Sequence, residues 1–422
     1  MLLDNLLINN TVEVLDAIMG SGKTLGIINW MLDNPNNRYL YVSPMLSEVE
    51  DRIPKDCAAL EFTFPIAGGD YKTKSSHLLH LLNKGHNIAF THSLFTDLSK
   101  PHLDMIARWG YVLIIDEEVN LIEPYQGRYK IGDITSLEKA KHIRIDEDNL
   151  GMVEWLWDDM EDNTQYSSLK RLCEIKMLYC SKRSRDMMVI QLPLALVQSS
   201  RRTIVLSYLF KGSVMESFLR LKGLEVRDFT EATLKYKPED IISKAKDLIA
   251  FKQTPSTKAV SGFGLSSTWY SVTANKKQLD TVGKALWSVY RKVGKDSLLI
   301  TLPKDSTLKT VNGRKNIKCC IPSRMSADDV FLYCGARATN DYASRSVVVH
   351  GYNRYVNLVV KAYLQDYGEV LECIPSDDQF ALSEMVQWVW RTCIRNSEPI
   401  DVYILSPRME RLLKSWLEEA SN

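Results

Sequence analysis

The sequence predicts an α/β protein with two domains, each built on a parallel β-sheet covered by helices. The chain has 422 residues, of which 45% are hydrophobic, and this is enough for two or three domains with large cores. Short apolar runs alternate with amphipathic stretches, which is typical of a parallel sheet wrapped in helices. A glycine-rich loop directly follows the first apolar run, where a strand would turn into a helix.

The apolar runs divide the chain into a first domain at residues 1–230, a linker at 231–262 that is rich in turn formers and charge, and a second domain at 263–422. The predicted strands of the first domain are Val12–Ile18, Arg38–Val42, Asn87–Thr91, Tyr111–Ile115 and Thr203–Leu206. Those of the second are Ser297–Leu302, Val330–Cys334, Ser346–His350 and Val402–Leu405, with helices at Ser383–Arg395 and Met409–Ala420. Residues 125–200 are charged and rich in Trp and Met at helical spacing, so we predict a helical insertion there.

Charge is spread unevenly although the net charge is only +1. Residues 201–350 hold 26 Lys and Arg against 13 Asp and Glu. A clustered excess of cations favours contact with a polyanion, so this region favours nucleic-acid binding. No apolar run approaches the 18 residues of a membrane span, and the eight cysteines form no C-x-x-C pair. We therefore expect an intracellular protein, in the cytoplasm, with reduced thiols and neither zinc nor disulfides.

The segment Ala17–Thr24 reads Ala-Ile-Met-Gly-Ser-Gly-Lys-Thr and predicts a phosphate-binding loop. Gly20, Ser21 and Gly22 would let the main chain wrap round a polyphosphate, with the helix N-terminus adding its positive end. Lys23 would reach the β- and γ-phosphates, and the Thr24 hydroxyl would bind Mg²⁺. The sequence therefore predicts ATP and Mg²⁺ as cofactors.

The apolar run Tyr111–Ile115 ends in three carboxylates, Asp116, Glu117 and Glu118. A buried strand that ends in acids places them at the carboxyl edge of the sheet, where a phosphate-hydrolysing site needs them. We expect Asp116 to hold Mg²⁺, largely through water, and Glu117 to orient and deprotonate the attacking water. Glu118 is expected to be a solvated or supporting acid.

Near the C-terminus, Gln387, Arg391 and Arg395 are spaced four residues apart, which would place them on one face of a helix. A guanidinium is well suited to stabilise charge on a transferring phosphoryl group, so the two arginines are candidate arginine fingers. A solvated basic face is the alternative. Trp388 and Trp390 are expected to pack this helix into its own domain rather than to stack on bases.

Taken together, these segments resemble the motifs of a superfamily 2 helicase of the DEAD/DEAH-like kind, in the compact form encoded by bacteriophages. The matching segments are Ala17–Thr24 (motif I), Tyr41–Met45 (Ia), Asn87–Phe95 (Ib), Asp116–Val119 (II), Ile204–Tyr208 (III), Leu298–Pro303 (IV), Ala336–Tyr342 (V) and Gln387–Arg395 (VI). The sequence departs from the family at Val119, where many relatives carry Asp or His. It also departs at Leu206-Ser207-Tyr208 in motif III and in the four-residue arginine spacing of motif VI.

The resemblance implies two RecA-like domains with ATP in the cleft between them, and a catalytic set of Lys23, Asp116, Glu117, Gln387, Arg391 and Arg395. It also implies that a single strand of nucleic acid contacts domain 1 through Ser43, Thr91, His92 and Ser93, and domain 2 through Thr339 and Asn340. Such contacts would position a strand without reading its sequence.

From these features we expect an ATP-dependent helicase or translocase that acts on single-stranded or forked DNA rather than RNA, in replication, recombination or repair. Replication or recombination proteins would be its partners, and the host cytoplasm its location if it is viral. An ATP-gated clamp or remodeller that does not separate strands is the alternative. A packaging ATPase with a nuclease half is disfavoured, because the acids of residues 251–350 form no convincing metal site.

Overall fold

The structure is a computed structural model that describes residues 9–127, 129–157, 165–308, 310–311, 314–322, 324–325, 330–335, 341–368 and 373–419. The chain forms two compact units. The first contains residues 1–17, 23–233 and 356–376, and the second contains residues 18–22, 234–355 and 377–422. In the described residues, no helix is long and apolar enough to cross a bilayer.

The described strands, in chain order, are β1 (Thr11–Asp16), β2 (Tyr39–Ser43), β3 (Ile88–Thr91), β4 (Val112–Asp116), β5 (Ile122–Pro124), β6 (Ile143–Asp146), β7 (Met152–Trp155), β8 (Leu178–Cys180), β9 (Met188–Gln191), β10 (Arg202–Ser207), β11 (Glu225–Asp228), β12 (Ile249–Phe251), β13 (Leu298–Thr301), β14 (Thr310–Val311), β15 (Arg314–Lys315), β16 (Val347–His350) and β17 (Ile400–Ile404). They form a six-stranded, a five-stranded, a four-stranded and a two-stranded sheet.

The described α-helices, in chain order, are α1 (Lys23–Asp33), α2 (Ile53–Asp56), α3 (Lys74–Asn83), α4 (His92–Thr96), α5 (Lys100–Trp109), α6 (Asp133–Lys139), α7 (Ser167–Glu174), α8 (Ala195–Gln198), α9 (Val214–Leu221), α10 (Pro238–Leu248), α11 (Pro255–Lys258), α12 (Lys276–Val293), α13 (Lys304–Thr307), α14 (Leu358–Gly368), α15 (Asp377–Val389) and α16 (Pro407–Glu419).

The six-stranded sheet of the first unit is parallel throughout, with strand order β11-β1-β10-β4-β2-β3. Its five predicted strands are confirmed to within two residues at each end. Their apolar residues are buried on both faces, as expected for a parallel sheet covered by helices. The carboxyl ends of β1, β10 and β4 lie side by side, which brings the residues that follow them to one edge of the sheet.

The insertion after β4 is built around a β-sheet, and the prediction of a helical insertion at 125–200 is wrong. Strands β5 to β9 form an antiparallel sheet in the order β5-β9-β8-β7-β6, and the described residues of the segment also contain the short helices α6, α7 and α8. Leu150 and Gly151, at φ 56° and 76°, turn the chain between β6 and β7. Strands of three or four residues are too short for their alternation to stand out against a helical period.

The four-stranded sheet of the second unit is also parallel, with strand order β12-β17-β16-β13. Its edge strand β12 and the preceding helix α10 lie within residues 231–262, so most of the predicted linker is folded. Predicted strands at 297–302, 346–350 and 402–405 are present, whereas Val330–Cys334 contributes only a bridge between Phe331 and Ile300. The remaining domain limits stay a prediction.

The first unit also includes a segment from late in the chain, which the sequence did not indicate. Helix α14 contributes Val360, Tyr363 and Leu364 to the core of this unit. The Tyr363 hydroxyl donates a hydrogen bond to the Leu150 carbonyl at 2.8 Å, and Asp366 forms an ion pair with Arg183 at 2.7 Å. Helix α14 is therefore anchored to both the main sheet and the insertion of the first unit.

Candidate nucleotide-hydrolysis site

The loop between β1 and α1 has the conformation that a phosphate-binding loop requires. Gly20 and Gly22 have φ values of 86° and 91°, in the left-handed region that glycine adopts without strain. Ser21 is buried, and its hydroxyl donates to the Ile18 carbonyl at 2.7 Å. Helix α1 then begins at Lys23, so the amides of its first turn have no partner within the helix.

Loop residues 18–22 belong to the second unit and contact another segment of that same unit. The Tyr236 amide donates to the Ser21 carbonyl at 3.1 Å. A Cβ added to Gly22 would meet the Lys235 Cβ at 2.8 Å. Glycine is therefore required at position 22 both by the backbone conformation and by the close approach of residue 235.

Lys23 points back along the loop toward the sheet, and its Nζ donates to the Ala17 carbonyl. Burial lowers the pKa of the Lys23 ammonium to about 8, while Asp116, Asp16 and Glu117 act in the opposite direction. Lys23 is therefore electrostatically coupled to the carboxylates that end β1 and β4. Its role as the cation that meets the terminal phosphates stays a prediction.

Asp116 is the last residue of β4, and its Oδ2 accepts a hydrogen bond from the Tyr41 hydroxyl at 2.9 Å. Burial raises the pKa of the Asp116 carboxyl to about 7, and the Glu117 carboxylate adds to the rise. Asp116 and Glu117 are adjacent, half-buried acids, so a divalent cation bound there would reduce the repulsion between their carboxylates. The carboxylate of Asp116 therefore fits a Mg²⁺-binding role, in which the ion would neutralise phosphate charge, and the part of Thr24 in it stays a prediction.

Glu117 has a left-handed backbone, with φ 65°. This conformation is uncommon for a residue with a Cβ and costs on the order of 1 kcal/mol, and it often marks a functional position. Its amide donates to the Leu206 carbonyl at 3.0 Å. Glu118 accepts a hydrogen bond from the Ser207 hydroxyl at 2.8 Å. The carboxylates at the end of β4 are thus tied to the end of β10.

The predicted nucleic-acid contacts of the first domain lie at the carboxyl ends of β2 and β3. Ser43 is fully buried, and its hydroxyl accepts from the Met45 amide at 3.2 Å. Thr91 caps α4 by accepting from the Leu94 amide at 3.4 Å, and Ser93 is exposed. His92 Nε2 lies 2.8 Å from the Asp116 carbonyl oxygen. Ser43 and Thr91 thus make local backbone contacts, and His92 faces the hydrolysis site.

The predicted helix of motif VI ends early, so its three polar residues do not share one helix face. Helix α15 stops at Val389, Arg391 follows in a turn, and Arg395 lies in the 3₁₀-helix Cys393–Asn396. The Cys393 amide donates to the Arg345 carbonyl at 3.0 Å, which holds the chain in the turn. The prediction that Gln387, Arg391 and Arg395 form one helical row is wrong, because this tertiary hydrogen bond takes the place of a helical one.

Each residue of that segment has a distinct setting within the second unit. Gln387 donates to the Ser383 hydroxyl at 2.9 Å on α15. Arg391 is half-buried, and Arg395 is exposed. Trp388 and Trp390 are buried, with Trp388 donating to the Leu332 carbonyl at 2.9 Å, so their predicted packing role is confirmed. Thr339 and Asn340, predicted to touch nucleic acid, lie outside the described residues.

Sequence reasoning missed two residues that support the site. Tyr41 is fully buried and bonded to Asp116, but its place in a strand suggested only packing. The Asp16 carboxylate accepts from the Leu209 and Phe210 amides at 2.8 and 2.9 Å, joining the end of β1 to the turn after β10. Asp16 could have been found from the sequence, because it is an acid that ends a buried strand, as Asp116 is in β4.

Comparisons with known proteins agree with this architecture. Residues 243–417 match the family described as the YonV C-terminal Rossmann-like domain. The chain is 27% identical over 444 residues to the SPbeta prophage-derived uncharacterized protein YonV of Bacillus subtilis (strain 168), covering 96% of this chain and 98% of that protein. This similarity to a prophage protein fits the compact phage-type form predicted from the motifs.

Two solved XPD structures show the same fold at low sequence identity. An apo XPD structure superposes with a TM-score of 0.52 at 14% identity, covering 99% of this chain and 96% of that one. The Xpd4 structure from S. tokodaii gives a TM-score of 0.50 at 13% identity, covering 96% of this chain and 94% of that one. The predicted α/β fold class with two RecA-like domains and parallel sheets is confirmed by these neighbours, and the helical insertion is the part of it that the structure contradicts. The chain therefore shares the fold of these two XPD structures.

Proposed function

We propose that this protein is an ATP-dependent motor that moves along, and separates strands of, DNA. The observation that carries the proposal is the coupling of Lys23, at the end of a glycine loop, to Asp116 and Glu117 at the end of β4. A phosphate-binding cation beside a metal-binding acid and a candidate general base is the minimum set for hydrolysing a nucleoside triphosphate. That the site drives movement on nucleic acid is proposed by analogy with the helicases whose motifs the sequence resembles.

In this proposal each group has a separate task. The loop amides and Lys23 bind the triphosphate, and Thr24 and Asp116 hold Mg²⁺, which would neutralise phosphate charge. Glu117 takes a proton from the attacking water. Arg391 or Arg395 of the second unit stabilises the charge that develops on the transferred phosphoryl group. Thr91 and Ser93, together with Thr339 and Asn340, contact the strand backbone, whereas Ser43 is fully buried and is left out of this set.

DNA is proposed as the substrate from the resemblance to phage proteins and the prophage origin of the YonV relative. The cationic excess of residues 201–350 is consistent with either DNA or RNA. A role in replication, recombination or repair follows by analogy with proteins of this fold.

The test is ATP hydrolysis measured without nucleic acid and with single-stranded DNA, duplex DNA and RNA, with Lys23→Ala as the inactive control. We expect single-stranded DNA to stimulate hydrolysis most strongly, and Lys23→Ala to abolish it. Absence of hydrolysis by the wild-type protein under all four conditions would contradict the proposal.

Strand separation is tested on duplexes with a 3′ or a 5′ single-stranded tail. We expect ATP-dependent separation with one tail polarity. DNA-stimulated hydrolysis without separation on either tail would instead identify the ATP-gated clamp predicted as the alternative from the sequence.

A further inference from the structure

The peptide unit between Asp116 and Glu117 is held at both of its polar ends. On one side, the Asp116 carbonyl oxygen lies 2.8 Å from His92 Nε2. Since a carbonyl oxygen only accepts, Nε2 carries the proton and donates. On the other side, the Glu117 amide donates to the Leu206 carbonyl at 3.0 Å. Both partners belong to the first unit, on the helix after β3 and on β10.

This double hold explains how Glu117 keeps an unfavourable backbone conformation. Its φ of 65° disfavours any residue with a Cβ, so an unrestrained peptide would relax toward negative φ. Such a relaxation would rotate the Cα–Cβ bond and redirect the carboxylate. The hydrogen bond from His92 therefore selects the peptide orientation that sets the direction of the Glu117 side chain.

His92 also starts the segment that the family resemblance assigns to nucleic acid. It is the first residue of α4, between Thr91, which caps that helix, and the exposed Ser93. The start of α4 therefore sets the position of the His92 ring, and the His92–Asp116 hydrogen bond depends on that position because hydrogen bonds weaken steeply with distance and angle.

We propose that His92 is a positioning residue that holds the Asp116–Glu117 peptide and so directs Glu117, the general base. This deepens the proposed function and rests on it. In place of the phosphate contact implied by the family resemblance, His92 acts through the Asp116–Glu117 peptide.

The kinetic test compares three variants. His92→Leu keeps bulk but removes the donor, His92→Gln keeps an N–H close to the position of Nε2, and Thr96→Ala is a control on the same helix. For His92→Leu we expect kcat at saturating single-stranded DNA to fall at least about tenfold, with the KM for ATP within about twofold. His92→Gln should stay within about threefold of wild type, and Thr96→Ala within about twofold.

Two kinetic outcomes would overturn the inference. An unchanged kcat in His92→Leu, with a higher DNA concentration needed for half-activation, would assign His92 to direct nucleic-acid contact. A loss in His92→Gln as large as in His92→Leu would show that the donor is not what matters.

A second measurement does not depend on hydrolysis. Hydrogen–deuterium exchange of fragments containing residues 116–118 should be faster in His92→Leu than in wild type, and unchanged in His92→Gln and Thr96→Ala, because the held peptide opens more often. Equal exchange in wild type and His92→Leu would refute the hold itself. If the wild-type protein did not hydrolyse ATP, the proposed function would be wrong. The hydrogen–deuterium exchange measurement would still show whether His92 holds the Asp116–Glu117 peptide.

Discussion

The Ser207 hydroxyl donates a hydrogen bond to the Glu118 carboxylate at 2.8 Å, and so joins the ends of β10 and β4. These strands are neighbours, with Leu206 paired to Asp116. In the motif resemblance, Glu118 belongs to motif II and Ser207 to motif III. Val119, which stands where relatives often carry Asp or His, is 4% exposed and packs in the core. The polar link between these motifs is therefore made here by the third acid.

We expect this link to contribute measurably to stability. Ser207→Ala and Glu118→Ala should each lower the free energy of unfolding by about 1 to 2 kcal/mol, since a hydrogen bond to a charged acceptor is lost. The double variant should lose about 1 kcal/mol less than the sum of the two. Urea denaturation of the four proteins gives the coupling. Strict additivity would show that the two side chains act independently.

Glu117→Gln should bind ATP but hydrolyse it at least about a hundredfold more slowly than wild type, because an amide cannot accept the proton of the attacking water. Nucleotide binding measured by fluorescence or calorimetry, beside single-turnover hydrolysis, separates the two effects. Glu118→Gln is the matched control one residue away, and it should retain hydrolysis within about fivefold. Normal turnover in Glu117→Gln would remove this residue from the role of base.

The raised pKa of Asp116 makes stability depend on pH. Burial and the neighbouring Glu117 raise this pKa from 3.8 to about 7, so the folded protein binds more protons here than the unfolded chain between about pH 4 and 7. Stability from this group is therefore present below pH 4 and is lost as the pH rises through 7.

Asp116→Asn should remove this loss of stability at high pH, because the amide stays neutral while its oxygen still accepts a hydrogen bond from the Tyr41 hydroxyl. We expect the variant to be more stable than wild type at pH 8 by up to about 4 kcal/mol, and nearly equal at pH 4. Thermal unfolding at both pH values, without nucleotide, is the measurement. A gain of the same size at pH 4 and pH 8 would show that ionisation of Asp116 is not its cause.

The two loop glycines provide a matched pair of substitutions. Both have positive φ, but a Cβ at Gly20 would meet no atom within 4 Å, whereas one at Gly22 would meet the Lys235 Cβ at 2.8 Å. Gly20→Ala should cost about 1 kcal/mol from backbone strain alone, and Gly22→Ala about 2 to 3 kcal/mol. Denaturation without nucleotide measures both costs. Adding Lys235→Gly should restore part of the stability lost in Gly22→Ala and none of the stability lost in Gly20→Ala.

The arginines of motif VI are expected to differ in effect, since they lie in different local structures. Arg391 is half-buried in the turn after α15, and Arg395 is exposed on a 3₁₀-helix. A partly buried guanidinium is better preorganised, so Arg391→Ala should lower kcat about a hundredfold and Arg395→Ala less than about tenfold. Steady-state hydrolysis with saturating ATP and single-stranded DNA tests this. A larger loss in Arg395→Ala would reverse the assignment.

How much of the fold could be predicted depended on the length of the apolar runs. Strand β4 appears in the sequence as a continuous apolar run, since its first four residues are buried on both faces of the sheet. The insertion has strands of three to four residues, and its Trp and Met spacing imitates a helix. The helix of motif VI was extended too far because a hydrogen bond between Cys393 and Arg345, 48 positions apart, cannot be inferred from local spacing.

The sequence by itself determined the parallel sheet of the first unit, the glycine loop, and the acids that end β4. These features depend on local backbone chemistry: glycine for positive φ, apolar runs for buried strands, and carboxylates at strand ends. Only the tertiary structure decided that Tyr41 supports Asp116, that Ser207 meets Glu118, and that His92 holds the peptide before Glu117. Those contacts join strands that are distant in the chain, and their partners are chosen by strand order and register, which no local pattern encodes.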